Sequence, residues 1–494
     1  MNKIYLLSPW VDERYDPIVN SLEYIKFYLI DSGYQAKIIN CAEYNRDLNE
    51  VISILKEDER PIVGVTAYTR ERFNAYELIK RIRREINGSL IVVGGRHFSS
   101  LPEETLCELP EVDIVVRGEG EITFKEICDA VYNNTGFEGV AGITYKNGSE
   151  IIHNPERPVE PDLDKFRCYD LNNLRKYTSL SHTKTDSKNL YFTVFATRGC
   201  PSKCVFCSLK ADRVRFRSIE NIIEEIEAKI KATGTRNVSF SDSSLTLNRK
   251  FITKLCEKII EKKINIKWNC YSRADVDSNV LKIMKKAGLE SMEIAMESGS
   301  PSVLKSIKKN IKLEHFEQLC KEGYNLGIKI YVFCMISLPG EKLEDVDMTI
   351  AYIKKVSKYI FMAGMQVTRI LPDAAIYEIS KGKNILPDDF TWFKDFYVVD
   401  KYSISNKYYA TLPIYLEQLT LEDIRDRMNE FNDLFASNFA SFDTIKRSLK
   451  CQFRKELIRE MTFKEFYRKT KRAIKMFVTA FNNQGKFSQG SSNS

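Results

Sequence analysis

Three thiols fall within eight residues of one stretch, "TRGCPSKCVFCSL" (197–209), at Cys200, Cys204 and Cys207. Thiolates grouped this closely suit a soft metal centre, either zinc or an iron–sulfur cluster. A structural zinc site wants four ligands. No further Cys or His occurs within 25 residues on the C-terminal side, and the nearest His upstream is His182. A four-iron cluster on three thiolates keeps one iron open for a small-molecule ligand. The spacing therefore favours a cluster, with zinc or unrelated thiols as the alternative. The other nine of the 12 cysteines are scattered. Cys128, Cys256 and Cys320 fall in helical patterns and read as core. Cys270 and Cys334 fall on strand patterns near the same region, and only Cys451 follows residue 334, so no second cluster is expected.

The elements that must position these thiols come next. "YFTVFAT" before Cys200 reads as a strand, which sets the cysteines on the loop at its carboxyl end. Further strand and helix patterns alternate through "NVSFSDSS", "IKWNCYSRAD", "SMEIAMESG", "KIYVFCMISLPG" and "GMQVTRILP". Six such units predict a full or partial (β/α)6 TIM-type barrel, with chemistry at the carboxyl ends of its strands. An earlier series runs from "KIYLLSP" through "PIVGVTA", "LIVVGG" and "VDIVVRGEG". Its Val/Ile-rich strands alternate with helices, the pattern of a doubly wound parallel sheet of Rossmann-like type. Ligands of such sheets sit beyond the strand ends, here "VTAYT" (65–69), "VGGRH" (93–97) and "RGEGE" (117–121).

The predicted organisation is thus an α/β chain. A Rossmann-like domain spans 1–140, a hairpin and proline-rich linker 141–188, the barrel 189–375, a mostly helical region 376–481 and a disordered tail 482–494. The hairpin is read from "GITYKNGSEIIHN", with its Asn-Gly pair at the turn. The balance of 43% hydrophobic and 29% charged residues is that of a soluble protein. No apolar run is long enough to span a bilayer, and "MNKIYLLSPWVDER" is too short for a secretory signal. A cytoplasmic location and reduced cysteines are expected. Net charge is +8, and residues 446–475 carry 12 Lys/Arg against 3 Glu, leaving the remainder close to neutral. Ile445, Leu449, Phe453, Leu457 and Met461 recur at four-residue steps there, an amphipathic helix expected to cap the barrel. An anionic membrane surface is the alternative partner for that segment. No interleaved stripe of arginines and aromatics argues for nucleic acid.

On these residues the chain resembles the radical S-adenosylmethionine (SAM) superfamily, in its subgroup with an N-terminal cobalamin (B12)-binding domain. The resemblance rests on C-x3-C-x2-C after the first barrel strand, with Phe206 before the third Cys. "VSFSDSSLT", "WNCYSRAD", "LESMEIAMESGS" and "SLPGE" follow in the family's order, and "VGGRHFSSLPEETL" with "VDIVVRGEGE" is similar to its cobalamin domain. It covers roughly residues 1–375. The resemblance implies a [4Fe-4S] cluster on Cys200, Cys204 and Cys207 that cleaves SAM reductively to a 5′-deoxyadenosyl radical. It implies that Phe206 packs near the adenine and that Asp242 lies near the SAM amino group, with Ser243 in place of a usual second acid. It further implies Arg273 on the SAM carboxylate, and Glu297 and Ser298 toward the ribose or methionine end. A reductant such as flavodoxin or ferredoxin is implied as partner.

For cobalamin, the resemblance implies a nucleotide tail against Thr66, Ala67, Gly94 and Gly95. The family's D-x-H-x-x-G stretch has no histidine here, since "SPWVDERYDPIVN" stands in its place. His97 follows the glycine pair and reads as structural. "LPDAAIYE" (371–378) departs from the family's P-G-T-P-L-Y, which alters the loop expected over the barrel mouth. The expected reaction is cobalamin-dependent methylation of an unactivated carbon in a peptide, natural-product or lipid substrate. The alternatives are another radical reaction beside a vestigial cobalamin domain, and a non-catalytic metal- or RNA-binding protein.

Overall fold

A computed structural model describes residues 3–10, 20–41, 47–167, 191–209, 213–394 and 412–435. The linker's later part, the 446–475 basic segment, its predicted amphipathic helix and the tail lie outside the described residues, as do His182 and Cys451. So does most of the stretch in place of D-x-H-x-x-G.

The N-terminal sheet has seven strands: β1 (Ile4–Ser8), β2 (Ala36–Asn40), β3 (Ile62–Thr66), β4 (Leu90–Gly94), β5 (Ile114–Val116), β6 (Ile143–Asn147) and β7 (Glu150–His153). Their order is β2-β1-β3-β4-β5-β6-β7; the first five are parallel and the last two antiparallel. This is the doubly wound arrangement, with its switch point between β1 and β3. Side chains alternate between two cores, as a strand period of two requires. Tyr5, Leu7, Val63 and Val65 pack into one, and Ile4, Leu6, Ile62 and Val92 into the other. The β6–β7 hairpin hydrogen-bonds to the edge of this sheet. Its two-residue loop is Gly148-Ser149, with Gly148 at φ 63°, so the Asn of the Asn-Gly pair closes the strand instead of occupying the turn.

The second sheet contains β8 (Phe192–Val194), β11 (Asn237–Phe240), β12 (Lys267–Ser272), β13 (Leu289–Glu297), β14 (Lys329–Ile336) and β15 (Met362–Val367). Between β8 and β11 lies a short antiparallel ribbon, β9 (Thr197–Arg198) with β10 (Arg215–Phe216). The six strands pair in chain order, all parallel, and β8 does not pair with β15. The barrel is therefore the partial form. Helices cover its outer face, where Ile222, Leu255, Leu281, Phe316 and Val346 meet the alternate residues Val238, Cys270, Met292 and Val332. The helix Ile219–Thr233 shows why these elements form: Ser218 caps it, Gly234 ends it at φ 74°, and Ile222, Ile223 and Ile226 make one buried stripe. The opposite face of the strands is half-buried and more polar, with Ser239 donating to Asn269 at 2.8 Å.

Among the described residues no helix is long and apolar enough to cross a membrane.

Candidate active site

The three cysteines follow the first barrel strand, as predicted, but that strand ends at Val194 and the loop leaves the short β9 ribbon strand instead. Each is half-buried. Hydrogen bonds to the loop's backbone come from three directions. The Val205 N–H donates to the Ile307 carbonyl at 3.1 Å, and the Ile376 N–H donates to the Val205 carbonyl at 2.8 Å. Arg96, from the first turn after β4, donates from Nη1 to the Ser208 carbonyl at 3.0 Å. The segment that departs from the family pattern, 371–378, is thus a direct support of the cysteine loop.

Burial pushes the Cys204 and Cys207 thiols up, and the neighbouring thiols add to it. The Lys309 ammonium works against this at both, and the Arg96 guanidinium at Cys207. Among the described residues no three His, Cys, Asp or Glu side chains are placed to hold a single metal ion. A cube of four irons attaches each thiolate to a different iron, so it needs no such convergence. Three mutually interacting thiols with two cations beside them fit that group.

Asp242, just past β11, is buried. Its Oδ1 accepts from the Ala196 N–H at 3.0 Å, from the Thr197 N–H, and from the Thr197 hydroxyl at 2.7 Å. It fixes the chain three residues ahead of Cys200. Burial raises its carboxyl to about 6 against the pull of those donors. Oδ2 is buried without a hydrogen-bond partner. That orphaned acceptor fits an incoming ammonium such as the amino group of SAM.

Glu297 ends β13 in the left-handed region, φ 69°, and its Oε1 meets the Lys309 ammonium at 2.9 Å. Arg273, just past β12, donates to Asp275 at 2.9 Å and to the Asn310 carbonyl at 3.2 Å. Three consecutive residues thus gather these groups: the Lys308 carbonyl lies 4.0 Å from Cys204 Sγ, Lys309 meets Glu297, and the Asn310 carbonyl takes Arg273. Ser298 does not join them. Its hydroxyl pairs with that of Thr349 at 3.1 Å, and Thr349 also accepts from the Gly299 N–H at 2.8 Å. Gly299 has no room for a side chain, since an added Cβ would lie 2.8 Å from Thr349 Cα. Ser298 serves the packing of the helix Leu343–Val356 against the strand end. Phe206 is half-buried where two apolar clusters meet, one around Leu101, Ile376 and Trp392, the other around Val303, Ile307 and Leu338.

Thr66, Gly94 and Gly95 lie together at the ends of β3 and β4, paired in register through Thr66 and Gly94. Gly95 is at φ 82°, and an added Cβ would stand 2.4 Å from Thr66 Oγ1. At Gly94 the nearest atom would be 3.6 Å away. This edge offers backbone and small side chains, which fits a ligand approached by the main chain. His97 is turned away. It is fully buried, its Nε2 contacts the Tyr76 hydroxyl, and it lies among Tyr76, Phe98 and Phe393. Burial holds its pKa well below the ordinary value, so the ring is neutral.

The "RGEGE" strand end is an interface. Arg198, two residues before Cys200, meets Glu121 at 2.6 Å and Glu119 at 3.4 Å, and Arg215 meets Glu119 at 3.1 Å. Sequence reasoning missed Arg96, Lys309 and Arg198, as well as Glu293, a strand acid beside Tyr271 that burial raises. Only the strand-end position of Arg96, beside the Gly94-Gly95 pair, signalled its location.

Family models match in two places: the radical SAM superfamily over residues 194–353 and the B12 binding domain over 14–128. An uncharacterised methyltransferase of Pyrococcus horikoshii is 32% identical over 365 residues, covering 72% of this chain and 77% of its own. An anaerobic magnesium-protoporphyrin IX monomethyl ester cyclase of Rubrivivax gelatinosus is 28% identical over 341 residues, covering 66% and 60%. Among solved structures, the radical S-adenosylmethionine methyltransferase TsrM of Kitasatospora setae superposes with a TM-score of 0.67. It is 18% identical and covers 77% of this chain and 76% of its own, a likeness of fold.

Proposed function

The chain belongs to the radical SAM superfamily, in the branch whose radical SAM domain follows a B12-binding domain, and on that premise we propose that it methylates an unactivated carbon. It is a radical SAM enzyme, and its cofactors are a [4Fe-4S] cluster, SAM and cobalamin. Membership sets aside the reading as a non-catalytic metal- or RNA-binding protein. When bound, these groups supply one-electron reductive cleavage of a carbon–sulfur bond and a transferable methyl group.

The residues divide the work as follows. Cys200, Cys204 and Cys207 would hold three irons and leave the fourth to SAM. Asp242 Oδ2 would accept from the SAM amino group, while Oδ1 keeps the strand end in place. Arg273 would meet the SAM carboxylate on leaving Asp275, and the Glu297–Lys309 pair would border the methionine end. Thr66, Gly94 and Gly95 would take the nucleotide tail of cobalamin against backbone. The observation that carries the reading is the Arg96 bridge, which ties the β4 strand end of the B12 domain to the cysteine loop. Two cofactor edges held this way can work on one substrate between them. The substrate class we favour is a peptide, natural product or lipid.

The relative named as a cyclase favours a second reading, radical cyclisation on the same cofactors. Anaerobic reconstitution with iron, sulfide and hydroxocobalamin tests the choice. Transfer of label from methyl-labelled SAM to carbon in a product supports methylation. SAM cleavage without label transfer, at saturating corrinoid, defeats it.

A further inference from the structure

Residues 301–314 follow β13 and wrap past the cysteine loop. The helix Pro301–Ser306 ends in a turn at Lys308, φ 55°, closed by the Lys308 N–H on the Lys305 carbonyl and the Lys309 N–H on the Leu304 carbonyl. This turn sends neighbouring residues to opposite sides. Lys309 goes inward to Glu297. The Lys308 carbonyl lies 4.0 Å from Cys204 Sγ, and the Ile307 carbonyl takes the Val205 N–H. The side chains of Lys305, Lys308 and Lys312 stay exposed, and none forms an ion pair among the described residues. They line an open groove of about 560 Å³ floored by Leu304 and Ile311, with Glu314 as the one acid on its wall. Lys203, beside Cys204 on the loop itself, is exposed as well.

Three uncompensated lysines around an open groove attract an anionic surface and raise its rate of encounter. Their position gives that encounter a purpose. A macromolecule seated there is one backbone carbonyl from a cluster thiolate. We propose that this groove docks an acidic one-electron carrier protein, which is oxidised by one electron as the cluster on Cys200, Cys204 and Cys207 is reduced by one. No proton or atom moves. The inference rests on the proposed reading of that loop as an iron–sulfur site. A small patch of charge suits such a partner, because redox encounters are small and brief.

The test is stopped-flow reduction of the reconstituted full chain by two donors: reduced flavodoxin, an acidic carrier, and a small uncharged photoreduced deazaflavin. The variant is K305E/K312E, and K254E/K282E, exposed lysines on outer barrel helices, makes an equal change of net charge elsewhere. Docking predicts that K305E/K312E slows flavodoxin reduction at least tenfold at low ionic strength. It also predicts that added salt removes most of the difference, and that deazaflavin reduction and iron content stay as in the wild type. K254E/K282E keeps the wild-type rate. Equal flavodoxin rates in the wild type and K305E/K312E overturn the proposal, and so does an equal loss with both donors or in both variants. If the wild type accepts no electron from either donor, the iron–sulfur reading fails and takes this inference with it.

Discussion

At the carboxyl edge of the N-terminal sheet the chain presents backbone and small residues; at the barrel's carboxyl edge it presents ionisable ones. Thr66, Gly94 and Gly95 present main chain and small side chains, and the one histidine nearby is neutral and enclosed by aromatic rings. The barrel edge carries the thiols, the buried Asp242 and the Glu297–Lys309 pair. The difference matches what each edge is proposed to hold. A large preformed cofactor binds by shape and hydrogen bonds, while a cluster and a zwitterionic sulfonium need ligands and charges. Arg96 belongs to the first edge and acts on the second, beside the Arg198 and Arg215 pairs with Glu119 and Glu121.

The barrel half of the comparison breaks most completely with Cys200→Ala. Iron is expected to fall from about four per chain toward none, and reductive SAM cleavage to disappear; iron analysis and product assay check it. Arg96→Ala attacks the bridge. It should leave iron and corrinoid content intact and slow the step needing both cofactors by about a hundredfold, with SAM cleavage alone much less affected. Separate assays of methyl transfer and SAM cleavage decide this.

Glu341 sharpens the barrel half. It is buried after β14, its Oε2 accepts from the Leu338 N–H at 3.1 Å, and burial raises it to about 7 from 4.5. The folded state holds this proton more tightly than the unfolded state. Stability from it is therefore full below pH 4.5 and is lost as pH rises to 7. Glu341→Gln should remove that slope and gain about 2 kcal/mol over the wild type at pH 8, with little change at pH 4. Denaturant unfolding at the two pH values measures it.

The smallest effect belongs to the N-terminal edge. Gly95→Ala places a methyl against Thr66 in a left-handed backbone and should cost about 1–2 kcal/mol and weaken corrinoid binding. Gly94→Ala, extended and uncrowded, should cost less than about 0.5 kcal/mol. Equal losses of thermal stability in the two would undo the distinction between them.

What the sequence made legible was periodic or local. The six barrel strands, the five parallel N-terminal strands and the cysteine loop all follow from alternation, turn residues and spacing. What escaped was set by long-range contact. Phe206, read beside Cys207, is placed by Leu101 and Ile376 from distant parts of the chain. Ser298 sits inside a quoted motif, yet its partner is Thr349, 51 positions on. Lys309 acquires its meaning from Glu297 and Cys204, and the αL turn that aims it has no glycine to announce it.

One contact carries a consequence for synthesis. After the barrel, the chain returns to the N-terminal domain: Phe393 stacks on Tyr76 at 5.2 Å, and the Trp392 carbonyl takes the Arg72 Nε–H at 2.8 Å. The rings around His97 therefore wait, during translation, for a segment made some 300 residues later. A nascent or excised B12 domain carries an unfinished aromatic box, and a fragment ending at the barrel inherits a buried arginine stripped of one acceptor. The first domain is thus completed by a segment made only after the whole barrel.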